Sequence, residues 1–325
     1  MKYHLLIILF VAGLSSQTAA GQSSAQSSYR FLGLPSTART AALGGNHVAL
    51  ASGESSLFTI NPAYLTESGH KELSFSYLSH LADIYLGTAS FTWHSDKLGT
   101  LATGMKILNY GQMSRTDNQG AESGTFGAYD FAWSAAIART VYPDLQAGIG
   151  LQLIHSRYDI YRSSALALFG GLYYRFNNEY THAGFSFQHL GTQITRFGSE
   201  DDDLPFTLSA GLSHRLQHLP LRFNLTLHSL NQWEIPVFDD EDPDFLDYLF
   251  RHVRFGAEVL LSENIQLRLG YDHLTSEELK TDRRIDASGT GIGLGLKIRE
   301  HRIDISRVSL SETGGLILIH LATGL

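Results

Sequence analysis

The chain of 325 residues contains no cysteine. That excludes a disulfide framework, a thiolate metal site and a lipoprotein-type signal. Long apolar runs are missing as well: past the leader, no stretch approaches the ~20 uninterrupted apolar residues of a spanning helix. Any crossing of a membrane must therefore be made by strands. Positive charge is in deficit too. Lys and Arg number 24 against 32 Asp and Glu, a net charge of −8, which argues against nucleic-acid partners. A mean hydropathy of −0.07 argues against a bundle of membrane helices.

What is present begins with an export signal. Met1-Lys2, an apolar stretch from Leu5 to Leu14 and small residues at Thr18-Ala19-Ala20 have the layout of a secretory signal peptide. The expected division is a signal peptide over 1–20, an N-terminal lead and plug over 21–68 and a barrel over 69–325. Glycine (31), Tyr (15) and Phe (18) lean the composition toward β structure.

From Glu72 onward, segments of about ten residues alternate apolar with small or polar, the length and period of a tilted transmembrane strand. Leu145, Ala147, Ile149, Leu151 and Leu153 share one face, opposite Gln146, Gly148, Gly150 and Gln152. The same pattern runs through 221–228, 253–261 and 265–272. About fourteen strands are expected, centred near Phe75, Ala89, Thr103, Trp133, Ile149, Phe169, Phe185, Ala210, Leu225, Ala257, Leu267, Leu294, Ile305 and Leu318. Connections alternate between tight ones, such as Ser95-Asp96-Lys97 and Tyr142-Pro143-Asp144, and long ones at Asn109–Phe126, Gly191–Leu204, Asn231–Phe250 and Thr275–Ser288. Short turns at one end and long loops at the other mark an outer-membrane barrel with periplasmic turns, whereas a secreted sandwich or propeller has no reason to sort them. The expectation is an all-β antiparallel transmembrane barrel in the bacterial outer membrane, with long loops extracellular and both termini periplasmic.

Two lumenal features follow from the alternation. Gly289, Gly291, Gly293 and Gly295 share a face, which reads as a lumenal surface with another segment packed on it; barrel curvature is the other common use of strand glycine. A hairpin at Ser262-Glu263-Asn264 sets Glu258 across from Arg268, an inward pair of opposite charge expected to be a packing detail.

Before the first strand, Pro35 to Gly45 reads as a short helix capped by Ser36 or Thr37 and stopped by Gly44-Gly45. Asn61-Pro62-Ala63 follows as a turn initiator. Such a segment ahead of a barrel is expected inside its lumen, as a plug whose structural motif is Arg39, Gly44, Gly45, Asn61 and Pro62.

Catalytic chemistry is not in evidence. Fifteen histidines include no His-Glu-x-x-His, and His214 with His218 fall across a strand end and turn. No Gly-x-Ser-x-Gly or phosphate loop occurs. Neither an enzyme, a cofactor nor a metal is expected. The long loops are more informative. Glu200-Asp201-Asp202-Asp203 lies in one, and Asp239-Asp240-Glu241-Asp242-Pro243-Asp244 in another, framed by Trp233, Ile235, Val237, Phe238, Phe245, Tyr248, Leu249 and Phe250. A solvated acidic face or a weak divalent-cation site are the plainer readings. Apolar anchors around charge favour a protein-docking loop, with Trp233, Phe238, Asp239, Asp240, Glu241, Asp242, Phe245 and Tyr248 as contacts.

Tyr29-Arg30-Phe31-Leu32-Gly33-Leu34-Pro35, Ala38-Arg39, Ala42-Leu43-Gly44-Gly45 and Asn61-Pro62-Ala63 together resemble the PorV/PorQ family of outer-membrane proteins of the type IX secretion system, its PorQ branch most. The resemblance covers essentially the whole mature chain. It implies a fourteen-stranded, FadL-like barrel with a short N-terminal plug. It also implies membership of the attachment complex that joins secreted proteins to anionic lipopolysaccharide, with a PorZ-like cell-surface protein as partner beside outer-membrane lipid. One departure is the ending Thr323-Gly324-Leu325, where many outer-membrane barrels carry an aromatic residue. Two functions are thus expected to compete: a scaffold anchoring a surface protein through its loops, and a FadL-like channel for hydrophobic small molecules.

Overall fold

The computed structural model describes residues 27–50, 54–79, 84–116, 122–177, 180–197, 202–237, 243–279, 287–310 and 314–325. The proposed signal peptide lies outside them. Fourteen antiparallel strands form a closed barrel in which each pairs with its sequence neighbours and β14 closes on β1. They are β1 (Glu72–Ser79), β2 (Tyr85–Ser95), β3 (Gly99–Thr116), β4 (Glu122–Tyr142), β5 (Leu145–Tyr158), β6 (Tyr161–Arg175), β7 (Thr181–Thr195), β8 (Thr207–Arg215), β9 (Leu221–Leu227), β10 (Val253–Leu260), β11 (Ile265–Asp272), β12 (Thr290–Ile298), β13 (His301–Ser309) and β14 (Gly315–Gly324). Every expected strand centre falls inside one of these strands.

The alternation decides which face meets what. On β5, Ile149, Leu151 and Leu153 are exposed on the outside, while Gln152 is buried inside. On β14, Ile317, Ile319 and Leu321 point out, and Leu318 and His320 are buried. An outer surface so continuously apolar is stable only against lipid. Register follows the same logic: Glu258 pairs with Arg268 across the β10–β11 hairpin, both inward.

The connections depart from expectation where the chain leaves the lipid. The segment 109–126, expected as a loop, is instead largely the paired upper part of β3 and β4, with a register shift between Asn109 and Gln112. Above the membrane there is no lipid face to enforce alternation, so the pattern fades while the backbone ladder continues. In the same way β7 runs on to Thr195, four residues past the expected loop start at Gly191. Two other long loops hold short helices: α2 (Phe245–Arg251) between β9 and β10, and α3 (His273–Leu279) between β11 and β12. At seven residues each, they are too short to show a helical period against their surroundings.

The described residues ahead of β1 lie in the lumen. Among them, the α-helix α1 (Ala38–Ala42) touches β11 to β14, while the 3₁₀ turn Pro62–Tyr64 touches β4, β5 and β6. The two ends of the described chain lie at opposite ends of the barrel. Leu325 donates its backbone N–H to Lys71 O beside the tight turns, 3.1 Å away. Ser27 instead donates its hydroxyl to Asp203 O in the β7–β8 loop, 2.8 Å away. Expectation put both termini at the tight-turn end; the barrel's own ends, Glu72 and Gly324, pair there, and the N-terminus of the chain lies outside the described residues. The described part of the plug begins at the loop end because Tyr29, Phe31 and Leu32 bury themselves against Leu78, Leu86, Leu108 and Ile154 there.

Candidate functional site

The plug is built from local signals. Thr37 caps α1: its hydroxyl accepts from Thr40 N, and the Thr40 hydroxyl accepts from Thr37 N. Gly44 (φ 84°) and Gly45 (φ 125°) then turn the chain in a region closed to most side chains. Asn61 caps the second turn, its Oδ1 accepting from Ala63 N at 3.0 Å, with Pro62 at the first position. The Asn61 amide also donates to Val48 O within the plug (2.9 Å) and to Leu172 O of β6 (3.1 Å), so one residue shapes the turn and fastens it to the wall.

The wall is hollowed to receive this backbone. A side chain at Gly293 would meet Ala42 Cβ at 2.6 Å, and one at Gly291 would run into the Ala41 and Ala42 carbonyls. Both belong to the expected glycine face, and a packed segment is what they admit. Gly289 does something else, turning the chain into β12 at φ 77°, against Asp272 and Ser276. Gly295 faces the side chains of Arg268 and Asp304 rather than the plug.

Those two side chains belong to a buried ion cluster, and its centre is Arg39 on α1. Arg39 Nε and Nη2 each donate to a Glu258 carboxylate oxygen at 2.9 Å, a bidentate pair. Arg39 Nη1 lies 3.2 Å from Glu54 of the plug. On the wall, Glu258 also accepts from Arg222 (3.1 Å) and Arg268 (3.3 Å), and Arg268 pairs with Asp304. Glu54 is met in turn by Arg302 of β13. Burial opposes the Arg39 charge, but Glu258 and Glu54 outweigh it and hold the guanidinium above its ordinary value. Burial likewise opposes the Glu54 charge, and Arg39 and Arg302 outweigh it, holding that carboxyl well below the usual range. Glu258 and Arg268, expected as a packing pair, are thus the seat of the plug. Nothing in the sequence signals that Arg39, more than 200 residues upstream, completes them.

Further polar bonds tie the plug around the ring. His47 is buried; its Nε2 lies 2.8 Å from Leu43 O and its Nδ1 3.0 Å from the Thr226 hydroxyl. That fits a neutral ring donating through Nε2 and accepting at Nδ1. Burial lowers its pKa to about 4, against the opposing pull of the Leu43 carbonyl. From β3, Lys106 Nζ donates to Leu32 O (3.0 Å) and Leu34 O (2.8 Å).

One cavity inside the barrel is small, with a lining of mixed polarity. A cavity of about 30 Å³ lies between plug and wall, bordered by Phe58, Ile60, Lys106, Gln152, Gln188 and His189. Ligand pockets run to roughly 300–1,000 Å³, so this one has room for little more than water. A second void of about 870 Å³ opens at the tight-turn end among charged and polar groups, including His94, Asp96, Arg139, Asp144 and Arg175.

Of the loop residues expected to dock a partner, Trp233 and Phe245 come together, ring centroids 5.4 Å apart and both exposed. Tyr248 is half-buried with the Arg251 guanidinium 5.4 Å from its ring. Phe238, Asp239, Asp240, Glu241 and Asp242 lie outside the described residues. In the other acidic run, Asp202 is no free solvated face: its carboxylate accepts from Ser28 N at 2.8 Å and holds the start of the described plug. Among the described residues no cluster of His, Asp or Glu has the arrangement of a metal site.

No family model matches this chain, and no curated protein matches it. Solved structures do. The chain is similar to the Ralstonia pickettii toluene transporter TbuX, with 12% identity, 91% of this chain and 100% of that chain covered, and a TM-score of 0.55. It is similar to the monoaromatic hydrocarbon channel CymD at 13% identity, 92% and 99% coverage and a TM-score of 0.53. A Pseudomonas aeruginosa FadL homologue matches at 10% identity, 89% and 98% coverage and a TM-score of 0.51. The shared feature is the fold, a FadL-like outer-membrane barrel.

Proposed function

We propose that this chain is a sealed outer-membrane barrel that serves as a scaffold, holding a cell-surface protein at the membrane through its outer loops. The observation that carries this reading is the filled lumen. A plug locked by Arg39 to Glu258 and hydrogen-bonded around the ring borders a mid-lumen cavity of about 30 Å³, too little for a hydrocarbon, while the larger void of about 870 Å³ lies at the tight-turn end among charged and polar groups. The long loops then remain as the working surface. Assignment to the type IX attachment complex, with a PorZ-like protein as partner, rests on the resemblance between Tyr29 and Ala63 alone. The test is membrane retention of surface proteins after deletion of 231–250. Loss of one protein from the membrane with the barrel still folded is expected, and unchanged retention of every surface protein overturns the loop assignment.

The fold favours a second reading, a channel for hydrophobic small molecules. TbuX is a toluene transporter and CymD a monoaromatic hydrocarbon channel, and the solved structures speak for this reading and are silent on type IX secretion. A β-bulge in the closed wall bears on it. The β6–β7 register shifts between Leu168 and Gly170, opposite His189 at φ 56°, and His189 borders the small cavity. Uptake of labelled toluene by proteoliposomes separates the two. The scaffold predicts uptake no faster than into empty vesicles, and faster uptake carries the channel.

A further inference from the structure

The wall from β8 to β12 is low. Strand β9 has seven residues and β10 and β11 have eight each. At about 3.3 Å per residue and a tilt of about 40°, seven residues rise ~18 Å, short of the ~25 Å apolar band of an outer-membrane barrel. Strands β9 and β10 end beneath the loop that holds α2.

Helix α2 is amphipathic. Phe245, Leu246, Leu249 and Phe250 lie on one side; Asp247, Tyr248 and Arg251 lie on the other. The polar side is occupied at its C-terminal end, while Asp247 is exposed. Arg251 is buried and donates Nη1 to Ile235 O at 2.9 Å. The next residue, His252, clasps the loop base, its ring nitrogens 2.7 Å from His228 O and 3.1 Å from Trp233 O. The helix therefore turns its apolar side outward, with Phe245 66%, Leu246 54% and Phe250 50% exposed.

That side continues the lipid-facing surface of the barrel. Leu267, Leu269 and Tyr271 form the exposed outer row of β11. The Tyr271 hydroxyl bonds His273 Nδ1 at 3.1 Å, and the Phe250 ring meets the His273 ring edge-on with centroids 5.8 Å apart. The exposed row of β11 thus reaches the helix through the ring of His273. Trp233, stacked on His252 and tilted against Phe245, adds an aromatic of the kind that settles at membrane interfaces.

We propose that α2 is an interfacial helix whose Phe245, Leu246 and Phe250 insert among the acyl chains of the outer leaflet and complete the apolar belt where the wall is low. Its occupant is lipid. A partner protein would then meet other parts of the loop, not these three side chains. The proposal stands whether or not a partner exists, because its test uses the barrel alone.

The absence of cysteine makes that test direct, since one introduced thiol is unique. Leu246→Cys and Asp247→Cys, one on each side of α2, are labelled with an environment-sensitive fluorophore. Each protein is reconstituted in dioleoylphosphatidylcholine vesicles, with or without doxyl-labelled phosphatidylcholine, and folding is checked by heat-modifiable gel mobility. At 246 the doxyl lipid should roughly halve the emission while iodide in the buffer leaves it nearly unchanged. At 247 the order should reverse. Phe245→Cys repeats the test should Leu246→Cys fail to fold. An equal response of the two sides, or iodide quenching at 246 with none by doxyl lipid, overturns the proposal.

Discussion

The barrel has a tall side and a low side, and they hold the plug by different chemistry. Strands β3 to β7 run from 14 to 21 residues, and around the plug they present Ala132, Ile154, Ala165, Ala167 and Phe169, all buried. Strands β8 to β13 run from seven to nine residues and present Arg222, Glu258, Arg268, Asp304 and Arg302. Apolar fill excludes water but tolerates a shifted partner. A buried ion cluster tolerates little, because an unmatched charge in it is costly. The ion cluster of the low side therefore fixes the plug most strictly, while the tall side fills the space around it and adds separate hydrogen bonds through Leu172 and Lys106.

That contrast breaks first at Arg39. Arg39→Ala leaves Glu258 and Glu54 buried without their plug cation and should cost about 3–5 kcal/mol, read by urea unfolding in detergent micelles. The next effect is a dependence on acidity. With a folded pKa of about 4 against an ordinary 6.5, His47 stays neutral in the barrel while the unfolded chain takes up a proton. Its contribution is whole above pH 6.5, declines as pH falls toward about 4, and declines no further below that. The loss across that window is about 3 kcal/mol, and His47→Gln should flatten that part of the stability profile. Smaller still is Gly293→Leu, which presses on Ala42 and should cost about 1–3 kcal/mol in the same unfolding assay. At the bottom, Gly127→Ala in the upper part of β4 meets nothing nearer than Gly111 O at 3.7 Å and should stay within about 0.5 kcal/mol. A cost at Gly127 rivalling that at Gly293 would erase the distinction between the two sides.

Much of this is legible in the residues. Period-two alternation locates all fourteen strands, because lipid outside and plug inside enforce opposite chemistry at successive positions. The cap at Thr37, the stop at Gly44-Gly45 and the turn at Asn61-Pro62 are local, and each forms where its residues place it. What escapes is long-range or lies beyond the lipid. The Glu258–Arg268 register follows from one hairpin, but nothing near Arg39 announces that it reaches that pair. The upper parts of β3 and β4 lose their alternation outside the membrane and look like loop. Helix α2, at seven residues, is hidden in a loop dominated by its acidic run; its aromatic flanks are visible in the sequence, but not the side they share. That the described plug begins at the loop end has no sequence signal, since its route through the barrel is set by the walls it packs on.

The central claim is a sealed barrel whose work is done at its outer surface. Native mass spectrometry of the protein taken directly from outer membranes in lipid nanodiscs tests it most directly. The account predicts a complex of the barrel with a surface protein and no hydrophobic molecule retained in the lumen. A barrel without a protein partner that carries a bound hydrocarbon or fatty acid would contradict it and establish the channel.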